Sequence, residues 1–385
     1  MSYNFDDLPD RKSTESIKWH YFDEDVLPMW VADMDFISPE PVVRALRERV
    51  EHGVFGYPCD MPKLIQVIVD RLADRYDWQV LPEEVVLIPG VVTGFNLVAR
   101  AMAAPGEGIL IQTPVYPPFL SAPHSAGLLC QEMELTRGQD GSYSIDYNAF
   151  EAAITDQTRL FLLCNPHNPI GRVFRADELE RMAEICLRHQ VMICSDEIHC
   201  DLIYSGHKHI PVATLQPEIA QNSLTLMAPS KTFNIAGLAC SAAIVPNPIL
   251  RKKLQSARHG LVGGVNVLGQ IAGLAAYRDG QPWLDELLVY LEANRDFLFD
   301  FVTNELPGIQ MVKPEGTYLA WLDARQSGIA GSPCEFFIKN ARVAMNDGAS
   351  FGQGGQGFLR LNFGCPRSML AEALERMKKA LANLN

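Results

Sequence analysis

The chain has 385 residues, of which 48% are apolar, 21% charged and 9% aromatic. Those proportions exclude a disordered, collagen-like or coiled-coil protein, and the length predicts two or three domains. With 33 basic and 46 acidic residues the formal charge is −13, a field that repels both nucleic-acid phosphates and anionic membranes. No apolar run reaches the roughly 20 residues a membrane helix needs. The opening MSYNFDDLPDRK lacks the basic-then-apolar pattern of a secretory leader. Nine cysteines are dispersed, never in a CxxC pair. Several lie in apolar runs such as LFLLC and VMIC, where a reduced thiol behaves as a small hydrophobe. A cytoplasmic protein is expected.

Taken in chain order, residues 1–45 are rich in Pro and Trp and read as an arm. Residues 46–280 read as a large domain in which short apolar runs alternate with helical patterns. VVLI at 85–88 predicts a strand, followed by a helix through FNLVARAMAA. GILIQ at 108–112, RLFLLC at 159–164, VMICSD at 191–196, SLTLMA at 223–228 and SAAIV at 241–245 predict further strands, with a helix through DELERMAEICLRH between the second and third of these. The runs are apolar throughout, as in strands covered on both faces. Alternation of strand and helix predicts an α/β domain with a mostly parallel sheet sandwiched by helices. Residues 281–385 read as a smaller α+β domain, with which the arm belongs. It opens on a long amphipathic helix, PWLDELLVYLEANRDFLFDFVTNEL, which Pro307 and Gly308 stop. Strands through IQMVKP, TYLAWLD and GFLRLNF follow, and a helix through LAEALERMKKAL closes the chain.

Ligands of open α/β sheets bind beyond the carboxyl ends of the strands, and four strand ends here carry polar residues. Pro89-Gly90-Val91-Val92-Thr93-Gly94 leads from a strand into a helix, which makes either a plain turn or an anion cradle of backbone N–H groups. Asn165-Pro166-His167-Asn168-Pro169-Ile170-Gly171 is a rigid turn presenting amide side chains, or simply an Asx-turn. Asp196, in SDEIH, ends an apolar strand and needs a positive or donating partner. Lys231, after Ser230, either reaches outward or is a desolvated amine suited to imine chemistry. Together the four supply what pyridoxal phosphate requires: a phosphate cradle, an amine, a carboxylate for the ring nitrogen and a donor for the phenolic oxygen.

GVVTG, NPHNPIG, SDEIH, APSKTFNIAG and FLRLNFGCPR, in that order, resemble fold-type I pyridoxal-phosphate enzymes of the aspartate aminotransferase class. PMWVADMDF at 28–36, with FGYP at 55–58 and DEIH, resembles the MalY/PatB type of cystathionine β-lyases and C–S lyases. The resemblance covers nearly the whole chain, from about Ile17 onward. It implies that Lys231 bonds the cofactor and moves the Cα proton, that Asp196 pairs with the ring nitrogen, and that Asn168 bonds the phenolic oxygen. Tyr116 would stack on the ring, while Val91 and Val92 would cradle the phosphate. Arg360 would grip the substrate α-carboxylate as a two-bonded fork. Tyr57 would reach the phosphate of a neighbouring subunit, so a homodimer is expected. Two departures stand out. His199 lies where many aminotransferases have a tyrosine, beside the ring. Ala228 and Ala239 replace a serine and an arginine on the phosphate, which shifts that duty toward Ser230, Tyr57 and the backbone.

The activity implied is α,β-elimination from L-cystathionine or another cysteine S-conjugate, giving pyruvate, ammonia and a thiol. An aminotransferase and a regulatory cofactor-binding protein are the alternatives. No metal site is expected: His199, Asp201, His207 and His209 match no strong zinc spacing. Trp30, Asp33 and Asp35 would line the substrate entrance or merely pack the arm. Arg251, Lys252 and Lys253 read as a solvated helix face, and Gly263 and Gly264 as a turn.

Overall fold

The computed structural model describes residues 3–384. Seven strands form the main sheet: β1 (Val85–Ile88), β2 (Gly108–Thr113), β3 (Leu129–Glu134), β4 (Thr158–Cys164), β5 (Met192–Asp196), β6 (Ser223–Met227) and β7 (Ser241–Ile244). Their order across the sheet is β1-β7-β6-β5-β4-β2-β3. The block from β6 through β3 pairs in parallel, whereas β7 runs antiparallel to both β6 and β1. Every residue of β1, β2, β6 and β7 is buried, because helices cover both faces and leave no solvated side to alternate against. Among these helices, α1 (Val91–Met102) follows β1, and α2 (Ala176–Arg188) leads into β5.

Because β7 is reversed, β1 points the same way as the parallel block. The carboxyl ends of β1, β2, β4, β5 and β6 therefore share one edge of the sheet. Tyr116, Asn168, Asp196 and Lys231 all lie just past, or at, such an end.

A second sheet of four strands, β8 (Gln310–Met311), β9 (Leu319–Asp323), β10 (Asn346–Asp347) and β11 (Phe358–Asn362), has the order β8-β9-β11-β10 and is antiparallel throughout. The expected strand through IQMVKP is thus shortened to two residues. Helix α3 (Gln281–Glu305) and helix α4 (Arg367–Ala382) pack with this sheet in one hydrophobic core. Helix α3 buries Trp283, Leu284, Leu287, Leu291, Leu298 and Val302, the three-and-four spacing of a single apolar stripe.

The amino-terminal arm joins this core through Phe5, Met29, Met34 and Phe36. Leu27 and Pro28 pair in parallel with Val343 and Ala344. Asp35, which is fully buried, binds Lys18 Nζ at 2.6 Å, Arg11 Nη1 at 2.7 Å and the Trp19 ring nitrogen at 2.9 Å. Removing one partner from a buried pair costs about 3–5 kcal/mol, so this cluster fastens the arm. Among the described residues, no helix is long and apolar enough to cross a membrane.

Candidate active site

Asp196 ends β5 and is 5% exposed. It accepts one hydrogen bond, from the Ile198 N–H at 3.0 Å. Burial pushes its pKa up to about 7, against the opposing pull of that N–H and of Lys231. A buried carboxylate served by one donor is short of a partner. Lys231, half-buried after β6, donates from Nζ to the Ala32 carbonyl at 2.5 Å. The same oxygen accepts the Tyr318 hydroxyl at 2.9 Å. Burial, then the neighbouring Arg360 cation, draw Lys231 down to about 8, while Asp33 and Asp196 pull the other way.

Arg360 lies in β11 and is 3% exposed. Its Nη1 donates to Asn168 Oδ1 at 3.0 Å, and its Nη2 to Trp30 O at 3.0 Å and Asn346 Oδ1 at 2.6 Å. Its Nε is buried without a partner. Burial lowers its pKa to about 10, still a cation at neutral pH. Asn168 stands on a turn locked by Gly171, whose φ is +73° and where an added Cβ would meet Pro314 at 2.4 Å. Tyr116 sits beside that turn, its N–H donating to the Asn168 carbonyl at 3.1 Å.

His199 is buried, and its Nδ1 has no partner. Burial drives its pKa down to about 3, helped by Lys231 and Arg360. The imidazole is therefore neutral. Val91 and Val92 open α1 immediately after Gly90, which has a φ of +102°. The first intrahelical N–H bond there is that of Gly94 to Gly90 O, so the earlier amides remain for an anion. Ser230 precedes Lys231 on a one-turn helix, Pro229–Thr232.

The structure thus gathers Lys231, Asp196, Asn168, Tyr116, His199 and Arg360 around one place, with Val91, Val92 and Ser230 at the same sheet edge. Tyr116, Lys231 and Arg360 line a cavity of about 880 Å³ there. Tyr57 stands apart, fully exposed in a segment without helix or strand. Trp30 and Asp33 line the cavity, and Trp30 also packs against Tyr21 and Phe22. Of the two remaining histidine candidates, His207 is exposed and His209 is used elsewhere, its Nε2 pairing with the buried Glu197 at 2.7 Å. Asp201 pairs with Arg71 at 2.8 Å and Arg75 at 3.2 Å. Sequence reasoning missed Asn346 and Arg11, both in the cavity wall.

The residues present fit pyridoxal phosphate. An under-partnered buried carboxylate suits a ring N–H, a lowered amine suits a carbonyl carbon, and the free amides behind Gly90 suit a phosphate.

The family described as aminotransferase class I and II matches residues 25–377. The chain belongs to that family and, within it, to the PatB/MalY group. It is 42% identical over 388 residues to cystathionine beta-lyase PatB of Bacillus subtilis (strain 168), covering 98% of this chain and 100% of the relative. The crystal structure of OvoB superposes with a TM-score of 0.94 at 45% identity, over 98% of this chain and 99% of that one. Cystalysin from Treponema denticola, whose crystal structure contains pyridoxal 5'-phosphate, matches at a TM-score of 0.96 and 33% identity over the full length of both chains.

Proposed function

We propose that this chain is a pyridoxal-phosphate-dependent carbon–sulfur β-lyase acting on L-cysteine S-conjugates such as L-cystathionine. One observation carries the reading: Lys231, Arg360 and the under-partnered Asp196 meet at one edge of the sheet. The names borne by PatB and by its relative from Corynebacterium glutamicum, both cystathionine beta-lyases, support the β-elimination outcome.

Lys231 would bond the cofactor, Asp196 and Asn168 would hold its ring, and Tyr116 and His199 would flank it. Val91, Val92 and Ser230 would receive the phosphate, joined by Tyr57 from a second copy of the chain. Bound pyridoxal phosphate supplies a sink for the electron pair left at Cα. The chain does the rest. Arg360 grips the substrate α-carboxylate with its planar fork. Lys231 Nζ, neutral in a sizeable fraction at physiological pH, takes the Cα proton. The Cβ–S bond then breaks, the sulfur leaves with its pair as thiolate, and hydrolysis of aminoacrylate gives pyruvate and ammonia.

Full exposure of Tyr57 supports a homodimer, and nine unbonded thiols support a reducing, cytoplasmic setting. The two sheets, at 85–244 and 310–362, support a division into an arm (1–45), a large cofactor domain (46–280) and a smaller C-terminal domain (281–385).

The test is to supply the purified yellow protein with L-cystathionine and no keto acid, then assay pyruvate and free thiol. Stoichiometric release of both is expected. Amino-group exchange that requires a keto acid, with no thiol released, would make the chain an aminotransferase instead.

Asn346 faces Arg360 across the β10–β11 pair, as direct register partners. Charge-assisted hydrogen bonds contribute about 1.5–3 kcal/mol, so Asn346→Ala is expected to raise KM roughly tenfold while kcat stays within about threefold. Steady-state kinetics separate the two constants, and equal losses in both would refute this ground-state role. Asn346→Ser, which keeps an acceptor, should recover part of the loss.

A further inference from the structure

The cavity that Lys231 and Arg360 line is also walled by the amino-terminal arm. A cysteine conjugate held there by Arg360 would have to place its S-substituent in the same cavity, which the arm helps to line. This inference rests on the β-lyase reading above. Trp30, Ile17 and Ile37 give the wall its apolar area, and Arg11, Asp33 and Glu15 give it charge.

Arg11 is the wall's one cation among the described lining residues, and it is fully engaged. Its Nη1 donates to Asp35 Oδ1 at 2.7 Å, Asp33 Oδ1 at 3.2 Å and the Met34 carbonyl at 3.3 Å. Its Nη2 donates to Asp33 Oδ2 at 2.7 Å and Ser16 Oγ at 2.9 Å. Turning this guanidinium toward a ligand would strip a partner from the fully buried Asp35. Lys18 is 1% exposed and bound to the same carboxylate, and the exposed Lys12, which is not in the lining, donates to the Glu24 carbonyl at 2.9 Å. Two cations therefore cancel two carboxylates within the wall. Glu15 remains exposed and, among the described residues, in no salt bridge, so the wall keeps one negative charge.

We infer that the arm acts as a charge filter: the enzyme prefers cysteine conjugates whose leaving thiol is uncharged or cationic and discriminates against thiols bearing a carboxylate. A carboxylate against the arm finds, among this chain's described lining residues there, no cation free to meet it and a like charge at Glu15. The desolvation it suffers on entering is left uncompensated. L-Cystathionine, whose leaving thiol carries both an amine and a carboxylate, is cleaved but outrun by uncharged conjugates.

The experiment uses the holoenzyme with S-propyl-, S-(2-aminoethyl)- and S-(2-carboxyethyl)-L-cysteine. Pyruvate release gives kcat/KM, and the shift in the cofactor's visible absorbance gives Kd for each conjugate whether or not it is cleaved. The carboxyethyl conjugate is expected to fall about tenfold below the propyl one in both measures. In Glu15→Arg, an exposed substitution outside the catalytic machinery, the carboxyethyl-to-propyl ratio is expected to rise about fivefold or more, with the aminoethyl conjugate moving the other way. Carboxyethyl and propyl conjugates matched within about twofold, or a ratio unmoved by Glu15→Arg, would overturn the filter. Failure of the lyase reading looks different: no conjugate releases pyruvate, while the binding constants still report the filter.

Discussion

Replacing Lys231 by alanine will lower pyruvate release from cysteine conjugates by about 10⁴-fold or more, because it removes the group proposed both to anchor the cofactor and to act as base at Cα. Borohydride treatment followed by peptide mass spectrometry should find the cofactor fixed to Lys231 in the native enzyme and to nothing in the variant. The same lysine sets the pH response. Burial and Arg360 place it near 8, and only its neutral form accepts a proton, so kcat should climb with pH through a limb near that value. Residual turnover within about tenfold of native would show that another group moves the proton.

Asp196→Asn will trade activity for stability in the cofactor-free chain. The native carboxyl titrates near 7 when buried without the cofactor, against an ordinary value of 3.8. The folded chain therefore holds a proton that the unfolded chain has released between those two values. Stability from this group is whole below about pH 4 and is lost as pH rises to about 7, a loss on the order of 4 kcal/mol. Asparagine keeps the acceptor for Ile198 N–H and carries no charge, so the cofactor-free variant should melt roughly 5 °C above native at pH 8. That gap should close toward pH 4. With cofactor the order reverses: the ring nitrogen loses its anion, cofactor affinity falls, and turnover drops by about 10²–10³-fold. Calorimetry on both forms at pH 4 and 8 checks this, and a cofactor-free Tm unaffected by the substitution at pH 8 would refute it.

Much of the fold was legible because its main strands are apolar on both faces. The runs at 85–88, 108–112, 159–164, 191–196, 223–228 and 241–245 all emerge as strands within two residues at either end. Leu129–Glu134 escaped notice for the converse reason. As an edge strand it is largely solvated, and LCQEME alternates with no clear apolar face. The reversed direction of Ser241–Ile244 was equally hidden, since an apolar run carries no sign of its polarity.

At the site, Lys231, Asp196 and Asn168 announced themselves as polar residues ending apolar strands. Asn346 had no such setting: in ARVAMNDGAS nothing marks it, and only the pairing of two strands places it opposite Arg360. Arg11 was hidden by distance along the chain, because its partners Asp33 and Asp35 lie 22 and 24 residues away in an aperiodic arm.

The bond from Arg360 Nη2 to the Trp30 carbonyl joins points 330 residues apart. The Asn362 amide closes a second such link, to Val31 O at 2.6 Å and Asp33 O at 2.7 Å. During synthesis the ribosome releases the arm first and β11 almost last, so no nascent chain short of residue 360 possesses a carboxylate grip or a closed pocket. Cofactor capture in its final geometry is thereby deferred to the finished polypeptide. A chain lacking its last thirty residues would lose Arg360 along with the end of the domain, although Lys231, Asp196 and Asn168, the residues proposed to hold the cofactor, lie far upstream.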